Sequence, residues 1–179
     1  MIYWGSETTL FLMDNLKSYA DFLTEDAQKY IQETIKKPQW EYDHHDRDDR
    51  LDMKFWIQKL NSDSFYRKFV FEAIKDMTGD DLILERVYMN GYTSGEHGLF
   101  HQDCDDEDGR TFIIYCNEDW NPEYGGLTCF NIDGNLQMVY PFPYSGIYFK
   151  GTIPHFAMPI SKLFTGLRVT LAYKMRIKK

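Results

Sequence analysis

From Gly79 onward the chain breaks into short apolar runs punctuated by turn residues, a rhythm that belongs to strands rather than helices. Asp81 to Asn90 alternates as a strand does, and Gly91, Gly95 and Gly98 then mark a turn-rich loop. Arg110–Cys116, Leu127–Ile132, Gln137–Tyr140, Gly146–Phe149 and Arg168–Met175 each read as short β runs, separated by Asn-Gly, Pro and Gly-Gly signals. Upstream, apolar residues from Leu16 to Lys37 recur at three- and four-residue spacing until Pro38, which predicts one helix, or two if Thr24 starts a second. Ser62 to Met77 predicts a further helix stopped by Gly79. Many short strands after helices predict a mainly β protein, an antiparallel sandwich with helices packed on one side. The chain reads as one domain over 1–179, helical to about 80 and β from about 81, with no linker, repeat or low-complexity tract.

Composition narrows the class. Hydrophobic content of 43% and aromatic content of 17% demand a packed core. The net charge of −8, with no basic stripe outside the short tail Lys174 to Lys179, argues against nucleic acid as a partner. Cys104, Cys116 and Cys129 form no CxxC pair and read as reduced thiols of an intracellular protein. Residues Met1 to Glu7 lack the charged start and apolar run of a leader, and no apolar stretch suits a membrane helix. A soluble, cytoplasmic protein is the expectation.

His101 and Asp103, two residues apart on an extended segment, point the same way. His155 lies far enough along the chain to return as a neighbouring strand. Two imidazoles and one carboxylate on one face of an iron leave its other positions open. Gly166-Leu167-Arg168-Val169-Thr170 offers a guanidinium and a hydroxyl on one strand face, a pair suited to a carboxylate. Each signal alone has a plainer reading: His155 as a core histidine, Arg168 as a surface or ion-paired residue. Their order and spacing favour the joint one. A second cluster, His44-His45-Asp46 within Asp43–Asp49, reads most simply as a solvated loop, with a second metal site or a substrate-facing loop as alternatives.

Over roughly Leu82 to Met175 the sequence resembles the Fe(II)- and 2-oxoglutarate-dependent dioxygenases, in particular the prolyl 4-hydroxylase-like branch. His101-x-Asp103 looks like the metal dyad, and Gly151-Thr152-Ile153-Pro154-His155 like the strand of the distal histidine. Tyr115-Cys116-Asn117-Glu118-Asp119-Trp120 and Gly125-Gly126-Leu127-Thr128-Cys129-Phe130 resemble the branch's YLNxxW and GGxTxF segments, and Gly166-x-Arg168-x-Thr170 its carboxylate-gripping element. Leu127 stands where the branch commonly has an acidic residue. Arg168 follows the distal histidine at a longer spacing than usual, with Ser161–Phe164 expected as a longer turn.

The resemblance implies a double-stranded β-helix, a jelly roll of the cupin type with flanking helices. It implies Fe(II) on His101, Asp103 and His155, and 2-oxoglutarate held by Arg168 and Thr170. Tyr88 and Tyr92 are candidates to hold co-substrate or substrate, with plain core aromatics as the alternative, and Asn90 shares their face. O2 would be consumed, ascorbate could support turnover, and succinate and CO2 would accompany hydroxylation of an unactivated C–H bond. A prolyl residue in a protein or peptide is the implied substrate, with a free amino acid or small molecule as the alternative. Trp120 and Phe130 read as core, and Asp105-Asp106-Glu107-Asp108 as a solvated tip. The rivals are a non-catalytic cupin-like metal-binding module and a metal-dependent isomerase or hydrolase, which would not need Arg168 and Thr170.

Overall fold

Alternation along the strands assigns each residue to one of two interiors. The computed structural model describes residues 8–13 and 16–179; the opening segment 1–7, read above for the absence of a leader, lies outside them. In chain order the strands are β1 (Thr8–Met13), β2 (Leu16–Ala20), β3 (Glu41–His44), β4 (Phe55–Lys59), β5 (Leu82–Tyr92), β6 (Gly109–Tyr115), β7 (Thr128–Ile132), β8 (Asn135–Val139), β9 (Gly146–Lys150), β10 (His155–Ala157) and β11 (Arg168–Ile177). One sheet runs β1-β2-β9-β6-β11-β5-β4-β3 and a smaller one β10-β7-β8, and neighbouring strands pair antiparallel.

On β11, Val169, Leu171, Tyr173 and Met175 enter a core shared with Ala27 and Ile31 of α1 (Glu25–Ile35) and Phe71 and Ile74 of α2 (Phe71–Thr78). Their neighbours Arg168, Thr170, Ala172 and Lys174 face the opposite side, into a cavity. The same parity sends Phe112 and Ile114 of β6 towards the helices, and Ile113 and Tyr115 against Phe130 of the small sheet. The large sheet is thus covered by helices on one face and by the small sheet on the other. That is the jelly-roll arrangement with flanking helices. A period of two is what makes one strand build both a core and a site.

Thr24 caps α1, its hydroxyl accepting from the Ala27 amide at 3.2 Å. The second helical segment starts with a π-helical turn, Phe65–Val70, and closes on Gly79, whose φ of 73° suits the left-handed cap. The expectation of helix from Leu16 fails: Leu16–Ala20 is β2, paired with β9 through Leu16↔Phe149. A strand buried on both faces reads like a helix by spacing alone, since Leu16 packs between the sheets and Tyr19 towards the helices. Asp21, with φ 56°, then separates strand from helix. No helix among the described residues is long and apolar enough to cross a membrane.

Candidate functional site

Main-chain hydrogen bonds bring the distant histidines together. The His101 amide donates to the His155 carbonyl at 3.2 Å, and the His155 amide returns to His101 at 3.0 Å. The Asp103 amide donates to the Gly151 carbonyl at 2.8 Å, tying the next stretch of chain to the turn that precedes β10. The imidazoles end with their ring centres 4.5 Å apart. Each Nδ1 lies 2.9 Å from a carbonyl two residues earlier, Leu99 for His101 and Ile153 for His155, which turns both Nε2 atoms inward.

His101 Nε2 lies 3.5 Å from Asp103 Oδ1, and His155 Nε2 lies 3.6 Å from Oδ2. The three residues offer donor atoms within 4.8 Å of one another. Metal bonds of roughly 2.1 Å at right angles put such atoms about 3 Å apart, so a small inward movement completes the set. Among the described residues this is the one such His/Cys/Asp/Glu group. The nitrogen–oxygen donors and the open side facing the cavity fit a divalent iron.

Electrostatics separate the two histidines. Burial pushes His155 down to about 4, so its approach to Asp103 is that of a neutral ligand, not an ion pair. Burial also works against the charged form of His101, but the hydrogen bond to Asp103 and the carboxylates of Asp46 and Asp103 outweigh it and raise its pKa. Asp103 is buried, a condition that favours protonation. The Lys174 ammonium and both histidines overcome this and hold its carboxyl well below the usual range. Thr111 donates to Asp103 Oδ2 at 2.6 Å.

Arg168, 1% exposed, forms the other end of the cavity. Its Nε donates to the Gly126 carbonyl at 2.7 Å and its Nη2 to Thr128 Oγ1 at 3.3 Å, while the guanidinium carbon lies 5.6 Å from the Tyr115 ring centre. Among the described residues it has no carboxylate partner. Gly126, at φ 64°, makes this seat: an added Cβ would stand 3.0 Å from Arg168 Cδ and 3.1 Å from Trp120. The longer spacing after His155 is absorbed by a turn, the Phe164 amide donating to the Ser161 carbonyl at 3.1 Å.

Thr170, Asn90, Tyr88 and Tyr92 line the same cavity, which measures about 230 Å³. Tyr92 is the register partner of Arg168 and stacks on Phe55 at 4.6 Å. Tyr88 lies towards Lys174, whose Nζ is 6.0 Å from its ring centre. The Asn90 Oδ1 is buried without a hydrogen-bond partner. Trp120 and Phe130 are buried core residues, and Phe130 stacks on His155 with ring centres 5.7 Å apart.

Two expectations change. Lys174, read as the start of a basic tail, is buried in the cavity and pairs with Asp103. Its parity with Arg168 and Thr170 was the available signal; the run of basic residues after it hid that signal. The rest of the tail is largely neutralised by the sheet's own acids, with Arg176 on Glu85 and Asp106, and Lys179 on Asp108. The Asp43–Asp49 run is a solvated loop only in its second half. His44, His45 and Asp46 line the cavity, and Asp46 accepts from the Leu99 amide at 2.7 Å and lies 3.7 Å from His101 Nδ1. Burial pushes His44 down to about 4, so it is neutral. The three cysteines are free thiols.

No protein-family model and no curated protein matches the sequence. Solved structures do. The chain is similar to a prolyl-4-hydroxylase from Pseudomonas putida, at 20% identity over 92% of this chain and 93% of that one, with a TM-score of 0.69. It is also similar to a prolyl hydroxylase from Trichoplax adhaerens in complex with a peptide fragment of the hypoxia-inducible factor oxygen degradation domain (13%, 92% and 84%, TM-score 0.70). A viral collagen prolyl hydroxylase from Paramecium bursaria Chlorella virus-1, in its 2-oxoglutarate complex, gives 18% over 93% and 97%, TM-score 0.66. The fold is that of the prolyl hydroxylases and related 2-oxoglutarate–Fe(II) oxygenases.

Two outcomes follow from the buried charges. Because His101 keeps a raised pKa and His155 a low one, His101 is the histidine whose proton a metal must displace first as pH falls. Below that raised pKa, Co(II) affinity should climb by up to about tenfold per pH unit, and level off above it. Titrations from pH 6 to 9 check this; a pH-independent affinity contradicts it. Replacing Lys174 by Met leaves Asp103 buried without its cation, which should cost the metal-free protein about 3 kcal/mol. Saturating Co(II) should then raise the melting temperature of the variant more than that of the parent.

Proposed function

We propose that this chain is an Fe(II)- and 2-oxoglutarate-dependent dioxygenase that hydroxylates an unactivated C–H bond. One observation carries the reading: a buried guanidinium without an anionic partner shares a cavity with an open-faced His-Asp-His set. A buried cation left alone is costly, so Arg168 is built for a carboxylate that arrives with a ligand. The metal set asks for a chelating group at its open side.

In this reading His101, Asp103 and His155 hold the iron, and Arg168 receives the far carboxylate of 2-oxoglutarate in a charge-assisted pair, with Thr170 adding a hydrogen bond. Iron, 2-oxoglutarate and O2 together supply the oxidising equivalent, with succinate and CO2 as co-products and ascorbate as a supporting reductant. The protein's share is placement. Phe130 and Phe149 pack against the His155 ring, the latter edge-on at 4.7 Å, and keep water from that side. Thr128 links the Tyr115 hydroxyl to Arg168, fixing the fork before the co-substrate binds. Tyr92 stands by the Arg168 end and Tyr88 by the Lys174 end, where the substrate would enter.

A prolyl residue of a protein or peptide is the first substrate reading, supported by likeness in fold to the prolyl hydroxylases, one of them bound to a peptide. A small-molecule substrate is favoured by the cavity itself, which is small and carries cations at both ends. A cytoplasmic location is part of the proposal, supported by the free thiols.

Arg168→Lys tests the assignment, since lysine keeps the charge and loses the planar fork. 2-Oxoglutarate should bind the Co(II) protein at least about tenfold more weakly, with Co(II) affinity unchanged. Equal 2-oxoglutarate affinity would contradict the role, and absence of succinate from the parent enzyme across substrate trials would favour the non-catalytic module.

A further inference from the structure

The cavity has a second cationic end, where Lys174 pairs with Asp103 of the triad while Arg86 has no carboxylate partner among the described residues. Arg86 on β5 and Lys174 on β11 are direct register partners, and both face the cavity. Like charges set opposite one another on adjacent strands destabilise the pair. Relief here is one-sided. Lys174 has Asp103, a residue of the metal set, and among the described residues Arg86 has no carboxylate partner. The neighbouring acid, Glu85, alternates to the other face of the strand and is taken by Arg176. The Arg86 guanidinium carbon stands 5.7 Å from the Tyr88 ring centre and Lys174 Nζ 6.0 Å from it, so one aromatic side chain gathers both cations. Arg168 lies six residues from Lys174 on the same strand, roughly 20 Å along it, so the two cationic ends serve different groups.

Charge within the cavity points the same way. Arg86, Arg168 and Lys174 face Asp46 and Asp103. The metal adds two positive charges and 2-oxoglutarate two negative ones, which leaves one positive charge over. The chain as a whole carries −8, so this excess is local. The cavity, about 230 Å³, is below the usual range for drug-sized ligands and must also hold 2-oxoglutarate, so a further guest has to be small.

We propose that Arg86, backed by Lys174, binds a carboxylate of the substrate. The substrate is then a free acid of amino-acid size, not an internal residue of a polypeptide. This rests on the dioxygenase reading above and names its substrate class.

The test uses the full chain loaded with Co(II) and 2-oxoglutarate without O2, read by the visible absorption of the metal. The probes are the common L-amino acids, their carboxamides, and a prolyl peptide capped at both ends. At least one free acid should shift the spectrum saturably, with its carboxamide binding at least about tenfold more weakly. Arg86→Gln should abolish that preference while leaving Co(II) and 2-oxoglutarate affinities intact; Arg86 is exposed, so the variant keeps the fold. The proposal is overturned if no free acid binds, if carboxamides bind as well as acids, or if the capped peptide binds and Arg86→Gln changes nothing. Failure of 2-oxoglutarate itself to alter the Co(II) spectrum would instead strike the dioxygenase reading, so the two failures are distinguishable.

Discussion

Charged side chains held between the two sheets set the terms for the groups packed around them. Arg168, Lys174 and Asp103 are almost fully removed from water, and each must find compensation inside the fold. Asp103 finds it in Lys174 and the Thr111 hydroxyl. Lys174 finds it in Asp103. Among the described residues Arg168 finds only neutral oxygens, those of Gly126 and Thr128, and an aromatic face. The residue whose charge stays uncompensated is the one that defines what must bind.

The scaffold tolerates this because alternation separates the two jobs of each strand. Tyr173 is buried among helices, its hydroxyl donating to the Tyr66 carbonyl at 3.0 Å, while its neighbour Lys174 reaches Asp103 on the opposite face. The helix-side core packs against β5, β6, β9 and β11, and the cavity side is then free to carry polar groups. The mutual amide bonds of His101 and His155 fix the ligand spacing through backbone, which leaves both rings available for a metal.

Much of this could be read from the residues. Apart from the short β10, the strands after Gly79 fall where turn residues and alternation put them, because such strands are bounded by glycine, proline and Asn-Gly signals. His101, Asp103, His155 and Arg168 were found by order and spacing, and the fold gathers them around one cavity. What stayed hidden was tertiary in origin. Leu16–Ala20 spaces its apolar residues like a helix and becomes a strand because the edge of β9 is there to pair with it. Asp46 looks solvated among its charged neighbours until the loop folds back onto the Leu99 amide. Lys174 and Arg86 are ordinary surface residues in sequence, and only the β5–β11 register sets them face to face.

The triad and Arg168 are proposed to form one site for iron and 2-oxoglutarate together. Anaerobic titration of the Fe(II)-loaded protein with 2-oxoglutarate, followed by visible absorption, tests it most directly, with a His155→Ala variant alongside. A charge-transfer band that saturates with 2-oxoglutarate in the parent and is lost in the variant is the predicted result. Iron bound by the parent with no such band at any 2-oxoglutarate concentration would contradict the account.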